Sequence, residues 1–118
     1  MKKWKYFTYD EFKCPCCGEN KTDPKLIDML DKARELAGIP FIINSGYRCE
    51  KHNKEVGGKS NSAHLKGKAC DIACADGFSR FAIVNALLKA GFVRIGIAKT
   101  FIHVDIDDEK NLMVMWVY

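Results

Sequence analysis

The segment 62–71, together with a shorter segment further along the chain, constrains this sequence more than any other feature. His64 and Asp71 supply one nitrogen and one oxygen that can bind a metal ion, with a glycine-containing turn between them. His103 lies in the segment 101–105, which has the composition of a separate strand, and supplies a second nitrogen. Two histidines and one carboxylate that leave a fourth position open are typical of a catalytic zinc site, not of a structural one. We therefore predict that the fold brings these three side chains together around one Zn²⁺ ion.

Each of the three residues also has an ordinary structural explanation. His64 can be a loop histidine, Asp71 a cap or turn residue, and His103 a strand histidine that is partly buried. The chain has three histidines, and the third, His52, lies in a polar loop where we expect it at the surface. The residues alone leave both explanations open.

The length and charge of the chain narrow its class. With 118 residues the chain is long enough to bury its own core, and we expect residues 1–118 to form a single domain. The net charge of +4 comes with lysines that are scattered along the chain, whereas a nucleic-acid-binding protein more often has a concentrated basic stripe. We expect a monomer without a nucleic-acid partner.

The sequence does not indicate a membrane segment or an export signal. It has no apolar run long enough to span a bilayer. Met1–Tyr6 is basic and lacks the apolar segment that follows in a signal peptide. We expect the protein to be made in the cytoplasm, so another factor must release it if its substrate lies outside.

The six cysteines are the unusual part of the composition, and we expect their thiols to be reduced. Cys14, Cys16 and Cys17 contain one C-x-x-C spacing, which is a weak indication of zinc or redox chemistry. A second metal or a disulfide is open there, although a structural zinc site needs four thiolates and the other cysteines look poorly placed to complete one. Cys70 and Cys74, if they lie on one strand, are about 13 Å apart. We expect both to be small buried core residues.

Apolar spacing and capping residues predict two main helices. The first is expected to have Thr22 or Asp23 as its N-cap and Pro24 in its first turn, and to end at Gly38. The second is expected to have Ser79 as its N-cap, to run to about Ala90 and to end at Gly91. The residues expected to face the core are Leu26, Met29, Leu30, Ala33 and Ala37 in the first helix and Phe81, Val84, Leu87 and Leu88 in the second.

Short apolar or alternating segments predict five strands. They are residues 41–43, 68–74, 92–97, 101–107 and 112–118. The polar segment between the first two strands is predicted as a long loop, which is usually functional or mobile in a compact domain. Asp71 is expected to face a side lined by small residues, which leaves room for an ion and a substrate. The predicted architecture is α+β, with two main helices packed on a small, mostly antiparallel sheet.

Several short motifs occur in a fixed order along the chain. They are Ser45–Arg48, Asn53, Gly57–Gly58, the S-x-H-x-x-G-x-A-x-D pattern of residues 62–71, and Ile102–Asp105. This series resembles the zinc D-alanyl-D-alanine carboxypeptidase family and extends over roughly residues 7–107. That family includes phage endolysin peptidases that cut the peptide stems of bacterial peptidoglycan, and its fold is shared with the Hedgehog signalling domain. The resemblance implies a zinc metallopeptidase that acts on the cell wall, and it makes a phage-type release of the protein attractive.

The resemblance also implies roles for individual residues. The three metal-binding residues predicted above correspond to the zinc ligands of that family. Arg48 corresponds to the arginine that holds the substrate or polarises the scissile carbonyl, and a planar guanidinium suits either role. Tyr47 and Ser62 are further candidates for the substrate pocket, although packing and turn formation explain them as well.

The general base is the point at which this sequence departs from the family. Many members carry a Glu or Asp three residues before the second zinc histidine, and Thr100 occupies that position here. Asp105 lies on the same strand face as His103 and is our candidate for the base. Its alternative role is to orient a ligand histidine. Asp107, two residues further on, is expected at the surface.

Two other functions are open at this point. A catalytically inactive, zinc-holding binding module of the same fold would explain Thr100. A zinc-ribbon-like nucleic-acid binder built on Cys14–Cys17 is the weaker alternative, because the chain lacks a second C-x-x-C pair and a basic stripe. The residues do not indicate which bond is cut, or whether the enzyme is an exopeptidase or an endopeptidase.

Overall fold

The computed structural model describes residues 3–118, and Met1 and Lys2, at the basic start of the chain, lie outside the described residues. The helices are α1 (Pro24–Ala37), α2 (Glu50–Glu55) and α3 (Gly77–Lys89), and 3₁₀ turns cover Tyr9–Phe12 and Ala63–Lys66. The strands are β1 (Ile43–Ser45), β2 (Ala69–Ala73), β3 (Arg94–Ile97), β4 (Phe101–Asp105) and β5 (Val114–Val117). Among these described helices, none combines the length and the apolar character that crossing a membrane requires.

The five strands form one sheet in the order β1-β2-β4-β3-β5. Neighbouring strands are antiparallel except β3 and β5, which run parallel. Helices α1 and α3 contribute apolar side chains to the same core cluster as the sheet. The predicted α+β fold, with a mostly antiparallel sheet, is therefore confirmed.

The alternation of side chains along β2 and β4 divides the sheet into an apolar face and a polar face. Asp71 and His103 are register partners on the two strands and line a cleft on the polar face. The residues on either side of Asp71 in β2 and of His103 in β4 point to the opposite face, into the core that α1 and α3 cover. The fully buried core residues of the two strands include Cys70, Ile72, Ile102 and Val104.

Helix α1 forms where its capping residues predict it. The carboxylate of Asp23 accepts a hydrogen bond from the backbone N–H of Lys25 at 2.9 Å, and Pro24 occupies the first helical position. Gly38 ends the helix with a φ of 70°, a left-handed conformation that favours glycine. The buried residues of the helix are Leu26, Ile27, Leu30 and Ala33.

The prediction for α3 is wrong in its cap and in part of its inward face, although Leu87 is buried as predicted. Asp76 is the N-cap, because its carboxylate accepts a hydrogen bond from the backbone N–H of Ser79 at 2.8 Å. Phe81 is 74% exposed, whereas Ile83 and Leu87 are buried. Apolar residues lie on almost every side of this helix, so their spacing does not single out one buried face.

The loop predicted after the first strand contains a helix. Helix α2 begins after Cys49, whose Sγ accepts a hydrogen bond from the backbone N–H of His52 at 3.4 Å. The strand before it is β1, which starts at the end of the predicted strand 41–43 and extends beyond it. This shift places Ser45 opposite Asp71 of β2. The segment that follows β1 therefore reaches the polar face of the sheet.

Candidate metal centre

Three elements bring the predicted metal-binding side chains together. His64 lies in the 3₁₀ turn before β2, Asp71 in the middle of β2, and His103 opposite it on β4. Oδ1 of Asp71 lies 3.4 Å from Nε2 of His64 and 3.0 Å from Nδ1 of His103. Ligand atoms around a tetrahedral zinc ion lie about 3.4 Å apart, because zinc bonds to nitrogen and oxygen are about 2.1 Å long. The three donor atoms all lie within 4.8 Å of one another, so these residues fit one zinc ion.

The ring of His64 is held by the backbone of residue 46. Nδ1 of His64 lies 2.7 Å from the carbonyl oxygen of Gly46, so Nδ1–H donates to it and Nε2 is the ring nitrogen that faces Asp71 and is available to bind a metal ion. A Cβ atom at Gly46 would lie 2.6 Å from the carbonyl oxygen of Phe12, so this close approach of two backbones requires glycine. The N-terminal segment thereby fixes the carbonyl group that orients a metal-binding imidazole.

Asp105 orients the imidazole of His103 from the side opposite the metal site. Nε2 of His103 lies 2.7 Å from Oδ2 of Asp105, so Nε2–H donates to the carboxylate and Nδ1 is directed at Asp71. Oδ1 of Asp105 accepts hydrogen bonds from Nε of Arg94 at 2.7 Å and from the backbone N–H of Asp107 at 3.1 Å. The expectation that Asp105 is the general base has no support in this geometry. Both of its oxygens are engaged, and Oδ2 bonds the ring nitrogen that faces away from the metal site.

The buried charges of the site stabilise one another. Burial alone raises the pKa of Asp71, but hydrogen bonds from His103 and His64 outweigh it and hold that pKa well below its usual range. Burial lowers the pKa of His103, yet hydrogen bonds to Asp105 and Asp71 raise it above its ordinary value. Burial likewise raises the pKa of Asp105, and hydrogen bonds from His103 and Arg94 bring it below its ordinary value. Both carboxylates are therefore ionised at neutral pH, as metal binding requires.

Arg48 is fixed beside the metal-binding residues. Its Nη2 lies 3.3 Å from Oδ2 of Asp71, and its Nε donates a hydrogen bond to Oγ of Ser45 at 3.0 Å. Its Nη1 donates to Oδ1 of Asn53 on α2 at 3.3 Å. A Cβ atom at Gly58 would lie 2.1 Å from that same oxygen of Asn53. Gly58 therefore serves close packing, because the absence of a side chain lets the chain after α2 pass over Asn53.

A cleft of about 960 Å³ opens over the metal-binding side chains. One part of its lining follows a row across the sheet, in which Gly96 of β3 lies opposite both His103 and Trp116 of β5. The ring centroids of His103 and Trp116 are 5.6 Å apart. A Cβ atom at Gly96 would lie 2.5 Å from Nε1 of Trp116. The glycine therefore makes room for an indole beside the metal centre, and neither residue was predicted from the sequence.

The two pocket residues suggested by the resemblance differ in their relation to the cleft. Ser62 lines it, and its Oγ accepts a hydrogen bond from the backbone N–H of His64 at 3.2 Å. Tyr47 is 5% exposed and is absent from the described cleft lining. Its hydroxyl donates to Oε1 of Glu19 at 3.2 Å. Tyr47 thus packs against the N-terminal segment, and the structure does not support a place for it in the pocket.

Asp107 is buried, and the expectation that it lies at the surface is wrong. Its side chain is 0% exposed, and its carboxylate accepts hydrogen bonds from Nζ of Lys66 at 3.1 Å and from Nζ of Lys110 at 2.7 Å. Burial raises the pKa of Asp107, but the two ammonium groups lower it to about 2. Because Lys110 also lines the cleft, Asp107 fixes one edge of the site.

Comparison with known proteins places these residues in a family. A family model described as peptidase M15 matches residues 5–106. The chain belongs to the peptidase M15 family. One curated relative is the zinc D-Ala-D-Ala carboxypeptidase of Streptomyces albus G, which is 40% identical over 57 residues. That match covers 48% of this chain and 22% of the relative, and it confirms the resemblance seen in the sequence.

The part of the chain that matches peptidase M15 contains every side chain of the candidate metal centre. His64, Asp71 and His103 all lie within it, and so does Arg48. Two imidazole nitrogens and one carboxylate oxygen are the donor set of many catalytic zinc sites, which leave a fourth position to water or substrate. The donor chemistry of this peptidase M15 chain therefore fits zinc as its cofactor.

Proposed function

We propose that this chain is a zinc-dependent peptidase that hydrolyses an amide bond in the peptide stems of bacterial peptidoglycan. One observation carries the proposal: the donor atoms of His64, Asp71 and His103 converge in an open cleft of a peptidase M15 chain. The relative's name, zinc D-Ala-D-Ala carboxypeptidase, supports zinc as the metal and a stem that contains D-alanine as the substrate.

In this proposal the chain holds the metal with three side chains and orients them with two further groups. His64, Asp71 and His103 hold the zinc ion, which when bound supplies a Lewis acid for the scissile carbonyl and lowers the pKa of water. The backbone carbonyl of Gly46 keeps one imidazole in the required tautomer, and the carboxylate of Asp105 does the same for the other. We assign Asp105 this positioning role instead of that of the general base.

Arg48 binds the substrate in this proposal. Its side chain is 14% exposed at the cleft, and three hydrogen bonds fix its guanidinium. A planar guanidinium can grip the carboxylate of a terminal D-alanine, or the carbonyl oxygen on which negative charge develops. Its Nη2 lies 3.3 Å from Asp71, so it is close enough to the metal centre to serve in either way.

The finer assignments belong to the same proposal. A carboxypeptidase removes the terminal D-alanine of the stem, whereas an endopeptidase of the endolysin type cuts an internal stem bond. We propose that residues 1–118 act as one domain and as a monomer, without nucleic-acid or membrane partners. The protein is then made in the cytoplasm and reaches the cell wall by a phage-type release.

Digestion of isolated cell wall by the zinc-loaded protein tests this proposal. Mass spectrometry should detect free D-alanine if the enzyme is a carboxypeptidase, or soluble stem fragments if it is an endopeptidase. Hydrolysis should stop on chelation and return when zinc is added. Release of neither D-alanine nor stem fragments after prolonged incubation, across stems of several compositions and with zinc bound, would contradict the proposal.

Arg48→Lys should lower kcat/KM by about tenfold. Lysine keeps the positive charge but loses the planar fork, and the loss of one hydrogen bond to a charged group costs about 1.5 kcal/mol. Steady-state kinetics on a defined stem peptide measure the effect. Arg80→Lys is the matched control, because Arg80 bonds the carbonyl of Lys99 on the exposed surface and should leave kcat/KM unchanged. Equal activity of Arg48→Lys and wild type would exclude Arg48 from substrate binding.

Trp116→Leu should raise KM by about fivefold and leave kcat nearly unchanged, because an aromatic contact contributes about 1 kcal/mol to binding of substrate and transition state alike. Trp116 lines the cleft next to His103. Trp4→Leu is the control, since the indole of Trp4 bonds Asp28 at 2.8 Å, outside the cleft lining. A fall in kcat with an unchanged KM would show that Trp116 acts on the metal centre instead of on the substrate.

A zinc-holding binding module without catalysis is the second candidate, and one observation favours it. Among the described residues that line the cleft, the acidic ones are Asp71 and Asp105, and both are engaged with histidines. Thr100, at the position where the family carries its base, is exposed. Binding of stem peptides in isothermal titration, with zinc present and with no hydrolysis on the same peptides, would favour this candidate over the peptidase.

A further inference from the structure

Four cysteines from two distant segments meet outside the cleft. Cys14, Cys16 and Cys17 follow the first 3₁₀ turn, and Cys49 directly precedes α2. Sγ of Cys49 lies 3.6 Å from Sγ of Cys14 and 3.5 Å from Sγ of Cys16. All four sulfur atoms lie within 4.8 Å of one another. The prediction that the other cysteines are poorly placed to complete such a set is therefore wrong for Cys49.

These distances fit a shared metal ion better than a disulfide. Sulfur atoms at the corners of a tetrahedral zinc site lie about 3.8 Å apart, because Zn–S bonds are about 2.3 Å long. The sulfurs of a disulfide lie about 2.0 Å apart. The structure describes all four cysteines as free thiols. A disulfide would also use two of the four sulfurs and leave the convergence of the other two without a reason.

The backbone around Cys14 forms a tight turn and directs N–H groups at its sulfur. The backbone N–H of Gly18 donates to the carbonyl of Cys14 at 2.8 Å and closes a tight turn, in which Gly18 has a φ of 75°. Backbone N–H groups of Cys49, Cys16 and Cys17 lie within hydrogen-bonding reach of the Cys14 sulfur. Backbone N–H bonds to sulfur are the usual support of a metal-bound thiolate.

Two members of the set, Cys16 and Cys17, are exposed, whereas Cys14 is buried. Sγ of Cys49 lies 3.5 Å from Sγ of Cys16, and two thiolates at that distance repel each other. Neighbouring sulfurs thus oppose the ionisation of a second thiol. A divalent cation at the centre reverses this effect, because a thiol that coordinates zinc is deprotonated outright.

We propose that Cys14, Cys16, Cys17 and Cys49 bind a second, structural Zn²⁺ ion, separate from the ion in the cleft. Four thiolates form a closed tetrahedral set with no position for water or substrate, which is the form of a structural zinc site. The two sites differ in donor chemistry. One offers sulfur alone and the other offers nitrogen and oxygen, so each can be identified by its ligands.

The second ion clamps the N-terminal segment to the part of the chain that carries substrate-site residues. Cys49 directly follows Arg48, and the backbone N–H of Tyr47 donates to the carbonyl of Phe12 at 2.8 Å. Gly46, whose carbonyl orients His64, packs against the same Phe12. A metal ion that joins residues 14–17 to residue 49 therefore stabilises the packing of residues 46–47 against Phe12.

His52 is the competing donor near this cluster. A donor set of Cys16, His52 and Glu55 also lies within 4.8 Å, and Nδ1 of His52 lies 4.0 Å from Glu55. His52 is partly buried instead of lying at the surface as expected. The experiment must therefore distinguish four sulfurs from a mixed set.

Zinc content per chain, measured by mass spectrometry of the metal after purification under reducing conditions, tests the proposal. Wild type should contain two zinc ions per chain, Cys16→Ser one, His64→Ala one and the double variant none. Cys74→Ala and His52→Ala are the controls and should keep two, because Cys74 lies outside the cluster and His52 is not a ligand in this proposal.

X-ray absorption at the zinc edge on the His64→Ala protein identifies the ligands even if a cysteine variant fails to fold. The remaining zinc should show a shell of sulfur alone at about 2.3 Å, and cobalt substitution should give the intense charge-transfer bands of a thiolate site. A wild type with one zinc that His64→Ala removes would overturn the proposal, and so would a disulfide among the four cysteines or nitrogen in the sulfur shell. These outcomes concern zinc content and zinc ligands and do not measure cell-wall hydrolysis. The peptidase proposal is therefore tested independently of this one.

Discussion

His64→Ala should reduce cell-wall hydrolysis by about 10³-fold or more, because a catalytic metal contributes several kcal/mol to transition-state stabilisation. His64 is 3% exposed and supplies one of three metal-binding donor atoms. Without its Nε2, one nitrogen and one carboxylate are left, which is too few for a stable catalytic zinc site. Initial rates on isolated cell wall, together with zinc content, measure the change.

Two comparisons separate loss of the metal from loss of the fold. The alanine variant leaves the carbonyl of Gly46 without its imidazole partner, so His64→Gln, whose amide can still donate to that carbonyl, is the companion variant. Both should keep the wild-type circular dichroism spectrum and lose activity. His52→Ala removes a histidine outside the cleft lining and should retain full activity. Hydrolysis at the wild-type rate in either His64 variant would reject the metal centre as the site of catalysis.

The metal centre could be predicted because the patterns that indicate it lie within short segments of the sequence. His64 and Asp71 lie within one short segment, and strand alternation puts His103 on the face of β4 away from the core. Helix α1 was predictable for a similar reason, since Asp23, Pro24 and Gly38 mark its ends directly in the sequence. Patterns of this kind need no knowledge of which strands are neighbours.

The surroundings of the site depend on distant pairings that the sequence does not contain. Trp116 reaches His103 only because β5 lies parallel to β3 and Gly96 lies between the two residues. Cys49 joins Cys14 only because the segment after β1 folds back on the N-terminal segment. Each of these contacts joins segments that become neighbours only in the complete fold.

The role of Asp105 shows the limit of strand alternation most clearly. Alternation correctly puts Asp105 on the same face as His103, and that made it a candidate for the base. It does not reveal Arg94, whose guanidinium occupies one carboxylate oxygen at 2.7 Å while His103 occupies the other. The role of Asp105 depends on its ion pair with Arg94, and Arg94 lies on another strand.

Asp105→Asn should weaken zinc binding by about 10- to 100-fold, the usual cost of removing a group that orients a metal-binding histidine. The neutral amide accepts the Nε2–H bond of His103 less strongly than the carboxylate does, and it gives up the ion pair with Arg94. Competition with a chromophoric chelator measures the affinity. Asp107→Asn is the matched control, because Asp107 is an equally buried carboxylate that bonds Lys66 and Lys110 instead of a histidine.

The response to added zinc distinguishes a positioning residue from a base. If Asp105 orients His103, a large excess of zinc should restore most of the activity of Asp105→Asn, since the loss lies in occupancy of the site. If Asp105 is the base, zinc affinity should match wild type and kcat should remain low at every zinc concentration, because an amide cannot take up the proton. The second result would reverse the assignment made from the geometry and would return Asp105 to the role first inferred from the sequence.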